Sequence, residues 1–412
     1  MRFLYTSAVR LYALGVGVAA AFGNAKAKLW LQGRQRQKAE IARQADVNEE
    51  WIWLHAASLG EFEQGRPVIE ALKDTFPQYK ILLSFFSPSG FEIRKDYPLA
   101  DEVLYLPTDT PRHASLWLGH HHFVAAFFIK YEFWFNYMAA LKRQGIPLFY
   151  VSLILDRNSF FFKPFGAWFR KQLRCVSHFF VQDETTARLL NDIRLDNVTV
   201  SGDTRFDRVA AIARQARPFP EIERFVGARQ CFIAGSTWPP DEKLIAGFLP
   251  KMPEDYALIL APHDVSDAHI AQIRLLFPQA RLYSELDGSE SSKILVINKI
   301  GILSQLYQYA RFVYVGGGFG ANIHNIQEPV TFGCPVVFGP RHTSFKEAVD
   351  LVHRGGAFSV CGQSDFDDIM NKLVSDNDFR DTASAICLDY LNSQLGATEI
   401  IMEKVQQLLF HA

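Results

Sequence analysis

Cysteine is scarce. The 412 residues hold five, Cys175, Cys231, Cys334, Cys361 and Cys387, odd in number, scattered and without a C-x-x-C pair. That excludes a disulfide framework and a cysteine zinc site, and it points to a reducing cytoplasm for the catalytic part. Surplus charge is missing too: 43 Lys and Arg against 44 Asp and Glu leave a net charge of −1. No field gathers a polyanion, so no nucleic-acid partner is expected. The uncharged stretch 11–23 is thirteen residues, short of the ~20 that a bilayer span requires. Internal repeats, heptads and low-complexity tracts are absent, which sets aside solenoids and coiled coils.

What is there is a large supply of core. Hydrophobic residues make up 49% of the chain and charged ones 21%, and the length suits two domains. Short β-branched and aromatic runs alternate with helical patterns, the signature of parallel sheets wrapped by helices. Residues 51–55, 81–86, 123–129, 148–153, 179–182 and 198–201 read as one series of strands, and 231–234, 257–261, 294–297, 312–315 and 335–338 as a second. Pro- and Arg-containing sequence near 214–220 separates them. The expected organisation is an anchor at 1–28 and two domains at 29–210 and 211–412, the last helix of the second being able to cross back to the first. Two doubly wound α/β domains across a cleft place their chemistry in the loops after the strands.

Arg2 and Arg10 precede the uncharged stretch, and Lys26, Lys28, Arg34, Arg36 and Lys38 follow it. A retained membrane anchor is favoured over a cleaved signal peptide, because an exported product would carry free cysteines. The cations suit an anionic cytoplasmic leaflet. A first helix docked on the protein's own core would explain the apolar residues but not the basic cluster. Whether the helix spans the bilayer or lies on it is left open.

Several loops after strands carry chemistry-bearing residues. Ser58-Leu59-Gly60-Glu61 opens a helix after the first strand, where Glu61 serves either as a capping carboxylate or as a general base beside a flexible glycine. Lys130-Tyr131-Glu132-Phe133-Trp134 and Gly202-Asp203-Thr204-Arg205 end two further strands. Arg205 is suited to hold a phosphate or carboxylate and Glu132 to orient it, against the alternative of an interdomain salt bridge. In the second half, Gly235-Ser236-Thr237-Trp238 and Ala261-Pro262-His263-Asp264 offer donors to a phosphate or base edge, unless Ser236 and Thr237 only cap the next helix. Gly316-Gly317-Gly318-Phe319-Gly320 is either a tight turn or a loop that lets backbone approach a phosphate. His324-Asn325-Ile326-Gln327-Glu328-Pro329 follows it, with Asn325 a helix cap and Glu328 a partner for ribose hydroxyls. The His120-His121-His122 run is read as a surface turn without a metal, since neighbouring residues do not share a face and no carboxylate-rich partner is near in sequence. The aromatic segment 160–165 suits core packing and membrane contact equally.

Taken in order, S-L-G-E, K-Y-E-F-W, G-D-T-R-F-D, G-S-T-W, A-P-H-D and G-G-G-F-G-x-x-x-H-N-x-x-E-P resemble the 3-deoxy-D-manno-octulosonic acid (Kdo) transferases of lipid A assembly, from the amino-terminal anchor to at least Phe358. The resemblance implies two facing Rossmann-like domains, the GT-B glycosyltransferase architecture, at the cytoplasmic face of the bacterial inner membrane. It implies an inverting transfer of Kdo from CMP-Kdo to a lipid A precursor (lipid IVA), with no metal or other cofactor. By position, Glu61 matches the family's proton acceptor, and Glu132 and Arg205 match positions that stabilise the transition state. Many members have Lys in place of Arg205, which keeps the charge and changes the contact geometry. Pro262 and His263, Ile300-Gly301-Ile302, and Asn325, Ile326, Gln327 and Glu328 match segments that hold CMP. Ile302 stands where many members have a polar residue, so backbone contacts are expected there. Ser58, Gly60, Ser236, Thr237, Gly316, Gly317 and Gly318 complete the expected substrate contacts. Two rival readings stay open: another nucleotide-sugar transferase or epimerase on this fold, and a non-enzymatic nucleotide-binding membrane protein, for which Glu61 would be dispensable.

Overall fold

The computed structural model describes residues 1–41, 49–286 and 292–410. The chain forms two compact units, one of Met1–Arg208 with Leu395–Ala412 and the other of Val209–Gln394. Each is a parallel seven-stranded sheet wrapped by helices.

In the first unit the strands are β1 (Glu50–Ala56), β2 (Lys80–Phe85), β3 (Glu102–Tyr105), β4 (His122–Ile129), β5 (Leu148–Leu153), β6 (His178–Val181) and β7 (Val198–Val200). Their order is β3-β2-β1-β4-β5-β6-β7. Alternate residues of one strand feed opposite faces. Trp51, Trp53, Leu82, Ala126 and Phe128 join one buried cluster, while Ile52, Leu54, Ile81, Leu83 and Phe127 join the other. Burial on both faces explains why these strands read as unbroken apolar runs rather than as alternating ones. The last helix, Ala397–Phe410, lays Ile401, Met402 and Val405 into the second cluster. At about 2 kcal/mol for each fully buried side chain, that contact is enough to hold the carboxyl terminus in the first unit. Asp207 secures the turn before it by accepting the Gly396 and Thr398 amides at 2.8 and 2.7 Å.

The second unit holds β8 (Gln230–Thr237), β9 (Tyr256–Pro262), β10 (Arg281–Leu282), β11 (Ile294–Val296), β12 (Phe312–Val315), β13 (Val336–Phe338) and β14 (Ala357–Ser359), ordered β10-β11-β9-β8-β12-β13-β14. Strands β3, β10 and β14 were not among those expected. All three are sheet edges, where short length and one-sided pairing remove the long apolar run that marks a central strand.

At the amino terminus, Arg2–Ala21 is helical and is the one helix among the described residues long and apolar enough to cross a membrane. It is docked by its first turns: Tyr5 donates to Asp109 Oδ2 at 2.6 Å and Arg2 to Asn136 Oδ1 at 3.0 Å. Beyond them Leu11, Leu14, Val18 and Phe22 are exposed, so a helix docked along its length on the core is not what forms. The following helix, Ala25–Ile41, corrects one expectation. Arg34 does not face outward with the other cations. It lies 3.8 Å from the Trp30 ring centroid and donates to the Leu106 and Phe86 carbonyls at 2.9 Å each.

Candidate active site

In an open parallel sheet, ligands gather beyond the carboxyl ends of the two strands from which the chain winds in opposite directions. In the first unit those strands are β1 and β4. Ser58–Glu61 follows one, and Lys130–Glu132 follows the other.

Glu61 occupies the third position of helix Leu59–Thr75 and accepts the Ser58 amide at 3.0 Å, one half of a capping box. The capping role is therefore real, and it fixes the carboxylate. Burial first, and then the like charge of Glu132, push its pKa up to about 7, against the opposing pull of the Ala57 and Ser58 amides and Lys130. A carboxyl poised there suits proton acceptance near neutral pH. Gly60 lies within the helix, and a Cβ there would meet nothing within 4 Å, so it acts as open space above the helix end rather than as a flexible link.

Glu132 Oε2 lies 3.4 Å from Nε2 of the fully buried His55. That nitrogen accepts from Trp134 Nε1 at 3.0 Å, while His55 Nδ1 lies 2.8 Å from Ser84 Oγ. With Nε2 accepting from Trp134, the hydrogen bond to Ser84 is made by the Nδ1–H tautomer. Lys130, directly after β4, has a φ of 59°, and Ser152, near the end of β5, one of 54°. Both are strained backbone positions of the kind that functional sites retain.

Arg205 is bound within its own unit: its Nε and Nη2 donate to Asp203 Oδ2 at 2.9 and 2.6 Å. Asp203 is buried and also accepts from Gln64 Nε2 at 2.6 Å. Burial raises its pKa, but Arg205 and its hydrogen bonds overcome that and hold it low. Asp203, not Glu132, is therefore the group that orients Arg205, and the salt bridge is not an interdomain one. Tyr131 feels the charges of Arg205, Asp203 and Glu61 together, so these groups share one electrostatic neighbourhood.

The second unit repeats the arrangement at β8 and β12. Ser236 has a φ of 53° at the end of β8. Thr237 is buried and donates to Glu242 Oε1 at 3.1 Å, which removes its hydroxyl from ligand contact. Neither residue caps the next helix; Asp241 does so by accepting the Trp238 amide at 2.9 Å. The same carboxylate accepts the Gly317 amide at 3.0 Å and the Tyr314 hydroxyl at 2.6 Å. Gly316, Gly317 and Gly318 are set by the protein's own packing: a Cβ on Gly316 would lie 2.3 Å from the Ser236 carbonyl, and one on Gly318 2.6 Å from Gly339 Cα. The glycines are thus packed into a close turn.

Above that turn the Trp238, His263 and His324 rings stack, with centroids 4.7 Å apart for Trp238–His263 and 4.5 Å for His263–His324. His263 is exposed and follows the buried Pro262 at the end of β9. Trp238 Nε1 donates to His324 Nε2 at 3.0 Å, and burial, followed by His263, lowers the His324 pKa, so the stack is uncharged at that ring. Ile300-Gly301 forms an exposed turn after β11, with Gly301 at a φ of 92° and Ile302 beginning the next helix. This leaves backbone as its polar surface. Asn325 Oδ1 accepts the Gln327 amide at 2.9 Å, and its Nδ2 donates to Glu328 at 3.3 Å. Ile326 and Gln327 are buried, and Gln327 donates to Glu347 at 3.1 Å, so their side chains support the loop rather than line it.

Residues 25–208 match the family model described as 3-Deoxy-D-manno-octulosonic-acid transferase (kdotransferase). That match spans under half of the chain, and likenesses to curated Kdo transferases extend over most of it, which marks the chain as a glycosyltransferase. A probable mitochondrial 3-deoxy-D-manno-octulosonic acid transferase of Arabidopsis thaliana is 26% identical over 331 residues, covering 75% of this chain and 73% of the relative. A bifunctional glycosyltransferase/methyltransferase of Fusobacterium nucleatum is 24% identical over 396 residues, covering 88% of this chain; the chain spans 60% of that relative's length. The fold is similar to a UDP-GlcNAc 2-epimerase from Neisseria meningitidis bound to UDP-GlcNAc, at 15% identity and a TM-score of 0.63 over 87% of this chain and 100% of the other. That likeness concerns architecture, and the GT-B-like arrangement of two parallel sheets agrees with it.

Some partners of the expected site residues were not singled out by the motifs. His55 contacts Glu132 and Asp203 contacts Arg205, and both lay in quoted segments as residues without an obvious role. Trp238 and His324 lay in quoted motifs too, but their stacking is a tertiary fact. The His120-His121-His122 reading needs correction: only His122 is exposed, His120 is buried and His121 half-buried, and Glu102 supplies a carboxylate to both of those rings.

Proposed function

We propose that the chain transfers Kdo from CMP-Kdo to a lipid A precursor, with inversion at the anomeric carbon, at the cytoplasmic face of the inner membrane. Glu61 takes the proton from the acceptor hydroxyl as its oxygen bonds to the anomeric carbon, and the bond from that carbon to CMP breaks. The observation that carries this reading is Glu61 itself: a fixed carboxyl after β1, held near pH 7 by burial and Glu132. Lys130, Arg205 and backbone donors offset developing negative charge without a metal in the reaction. The second unit supplies a cradle for the nucleotide, in which the Trp238–His263–His324 stack offers a flat face to the base, and Asn325 and Glu328 offer polar atoms to the ribose.

A lipid acceptor is supported by the first unit's amino-terminal helices. The exposed apolar face of Arg2–Ala21 suits a membrane, and a cavity of about 320 Å³ is lined by Trp30, Leu31 and Leu116 with Arg34, Lys38 and Arg112. Apolar walls with cations among them suit acyl chains below an anionic headgroup. The aromatic segment divides: Phe161 is buried and Phe165 is exposed.

The test is incubation of the detergent-solubilised protein with CMP-Kdo and a tetra-acylated lipid A precursor, with and without chelator, followed by mass spectrometry of the lipid. A mass increment of one Kdo per transfer, persisting with chelator and absent in Glu61→Gln, is expected. Intact nucleotide binding with no increment would refute the acceptor, and transfer of another sugar would refute the donor.

A further inference from the structure

The opposite rim of the first sheet carries a cluster that the transfer reaction does not use. Glu102 opens β3, and His120 and His121 lead into β4. His120 Nε2 lies 3.2 Å from both Glu102 oxygens, and His121 Nε2 lies 2.5 Å from Oε2. One ligand atom from each of the three residues falls within 4.8 Å of the others. His120 is buried, His121 is half-buried, and the His121 ring is fixed by a stack on Trp51 with centroids 3.7 Å apart at 10°. His121 Nδ1 is buried without a hydrogen-bond partner among the described residues.

We infer that Glu102, His120 and His121 form a zinc site with one position open to solvent. Two imidazole nitrogens and a carboxylate oxygen are a donor set zinc accepts, with water as the fourth ligand. Ligands about 2.0–2.1 Å from a tetrahedral ion stand roughly 3.4 Å apart, so the His120–Glu102 spacing already fits, His121 and Glu102 must separate by roughly 1 Å, and the two imidazole nitrogens lie within 4.8 Å of each other. The ion would replace the N–H protons that now point at one carboxylate. It would tie the edge strand β3 to the loop feeding the central strand β4, a connection the sheet itself lacks because β2 and β1 lie between them. The eight residues of β4 put the site roughly 23 Å from the catalytic loop at about 3.3 Å per residue, so the ion is structural and takes no part in transfer.

The experiment loads full-length, detergent-solubilised protein with zinc, removes the excess on a desalting column and measures zinc per chain by mass spectrometry. One zinc per chain is expected in the wild type and in His122→Ala, whose side chain lies outside the cluster. Glu102→Gln and His121→Asn should weaken zinc binding by at least about 10-fold, while CMP affinity, which reports an intact fold, stays unchanged. X-ray absorption of the wild-type protein decides the matter even where a variant fails to fold: nitrogen and oxygen neighbours with two imidazole signatures support the site, and a sulfur neighbour at about 2.3 Å overturns it. Zinc well below one per chain in the wild type, or retained equally in both variants, also overturns it.

Discussion

The two units share a plan and differ in chemistry. Each is a parallel seven-stranded sheet whose winding reverses beside its first strand, and in each the loops after the strands hold the candidate residues. In the first unit the loops gather charge: Glu61, Lys130, Glu132, Asp203 and Arg205. In the second the acidic groups are turned inward, with Asp241 bound to Tyr314, Trp238 and Gly317, and Glu242 to Thr237 and His269. What remains at the surface of that loop set is mainly stacked rings and polar backbone, with Asp264, Asn325 and Glu328. The same fold therefore yields a unit whose loops concentrate charge and a unit whose loops present rings, which suits the proposed division between moving a proton and holding a ligand.

The largest expected effect is on the charged side of this comparison. Glu61→Gln should lower kcat by about 10²–10⁴-fold with CMP affinity unchanged; a parallel loss of affinity would erase the division of labour. Asp203→Asn should come next. It removes the carboxylate that Arg205 pairs with, and chemical denaturation should show a loss of about 2 kcal/mol together with a fall in kcat, because the guanidinium loses its paired hydrogen bonds to Asp203. A gain in stability would mean the pair is not what holds Arg205.

Glu61 also makes a stability prediction. Its folded pKa, about 7, stands above the ordinary 4.5, so the native state binds this proton more tightly than the unfolded chain does. The stability it confers is present below about pH 4.5 and is lost as pH rises to about 7. At pH 8 Glu61→Gln should therefore be more stable than wild type, by on the order of 2 kcal/mol, while below pH 4.5 the two should converge. The smallest effect belongs to the second unit: Trp238→Ala should weaken CMP binding by about 10-fold through lost stacking, measured by calorimetry, with kcat nearly unchanged.

The central strands and the loops after them were legible in the sequence because parallel strands buried on both faces leave unbroken apolar runs. Edge strands β3, β10 and β14 were not, since two to four residues with one partner leave no such run. Glu61, Glu132 and Arg205 stood out as charged residues after strands. Their partners did not: Asp203 and His55 are ordinary by residue type, and only folding shows what they bind. The glycines illustrate the reverse. Their run read either as a tight turn or as room for a phosphate, and only folding shows that Gly316 and Gly318 sit where backbone packs against backbone. The histidine run was dismissed for want of a carboxylate nearby in sequence, and the carboxylate came from β3, eighteen positions away from His120.

The most direct test of the central claim is the pH dependence of kcat/KM for Kdo transfer in the wild type and in Glu132→Gln. If Glu61 is the base and Glu132 helps to lift its pKa, activity should rise through about pH 7 in the wild type, and this limb should move to lower pH when the neighbouring charge is removed. A profile flat from pH 5 to 8, or a limb that Glu132→Gln leaves in place, would contradict it.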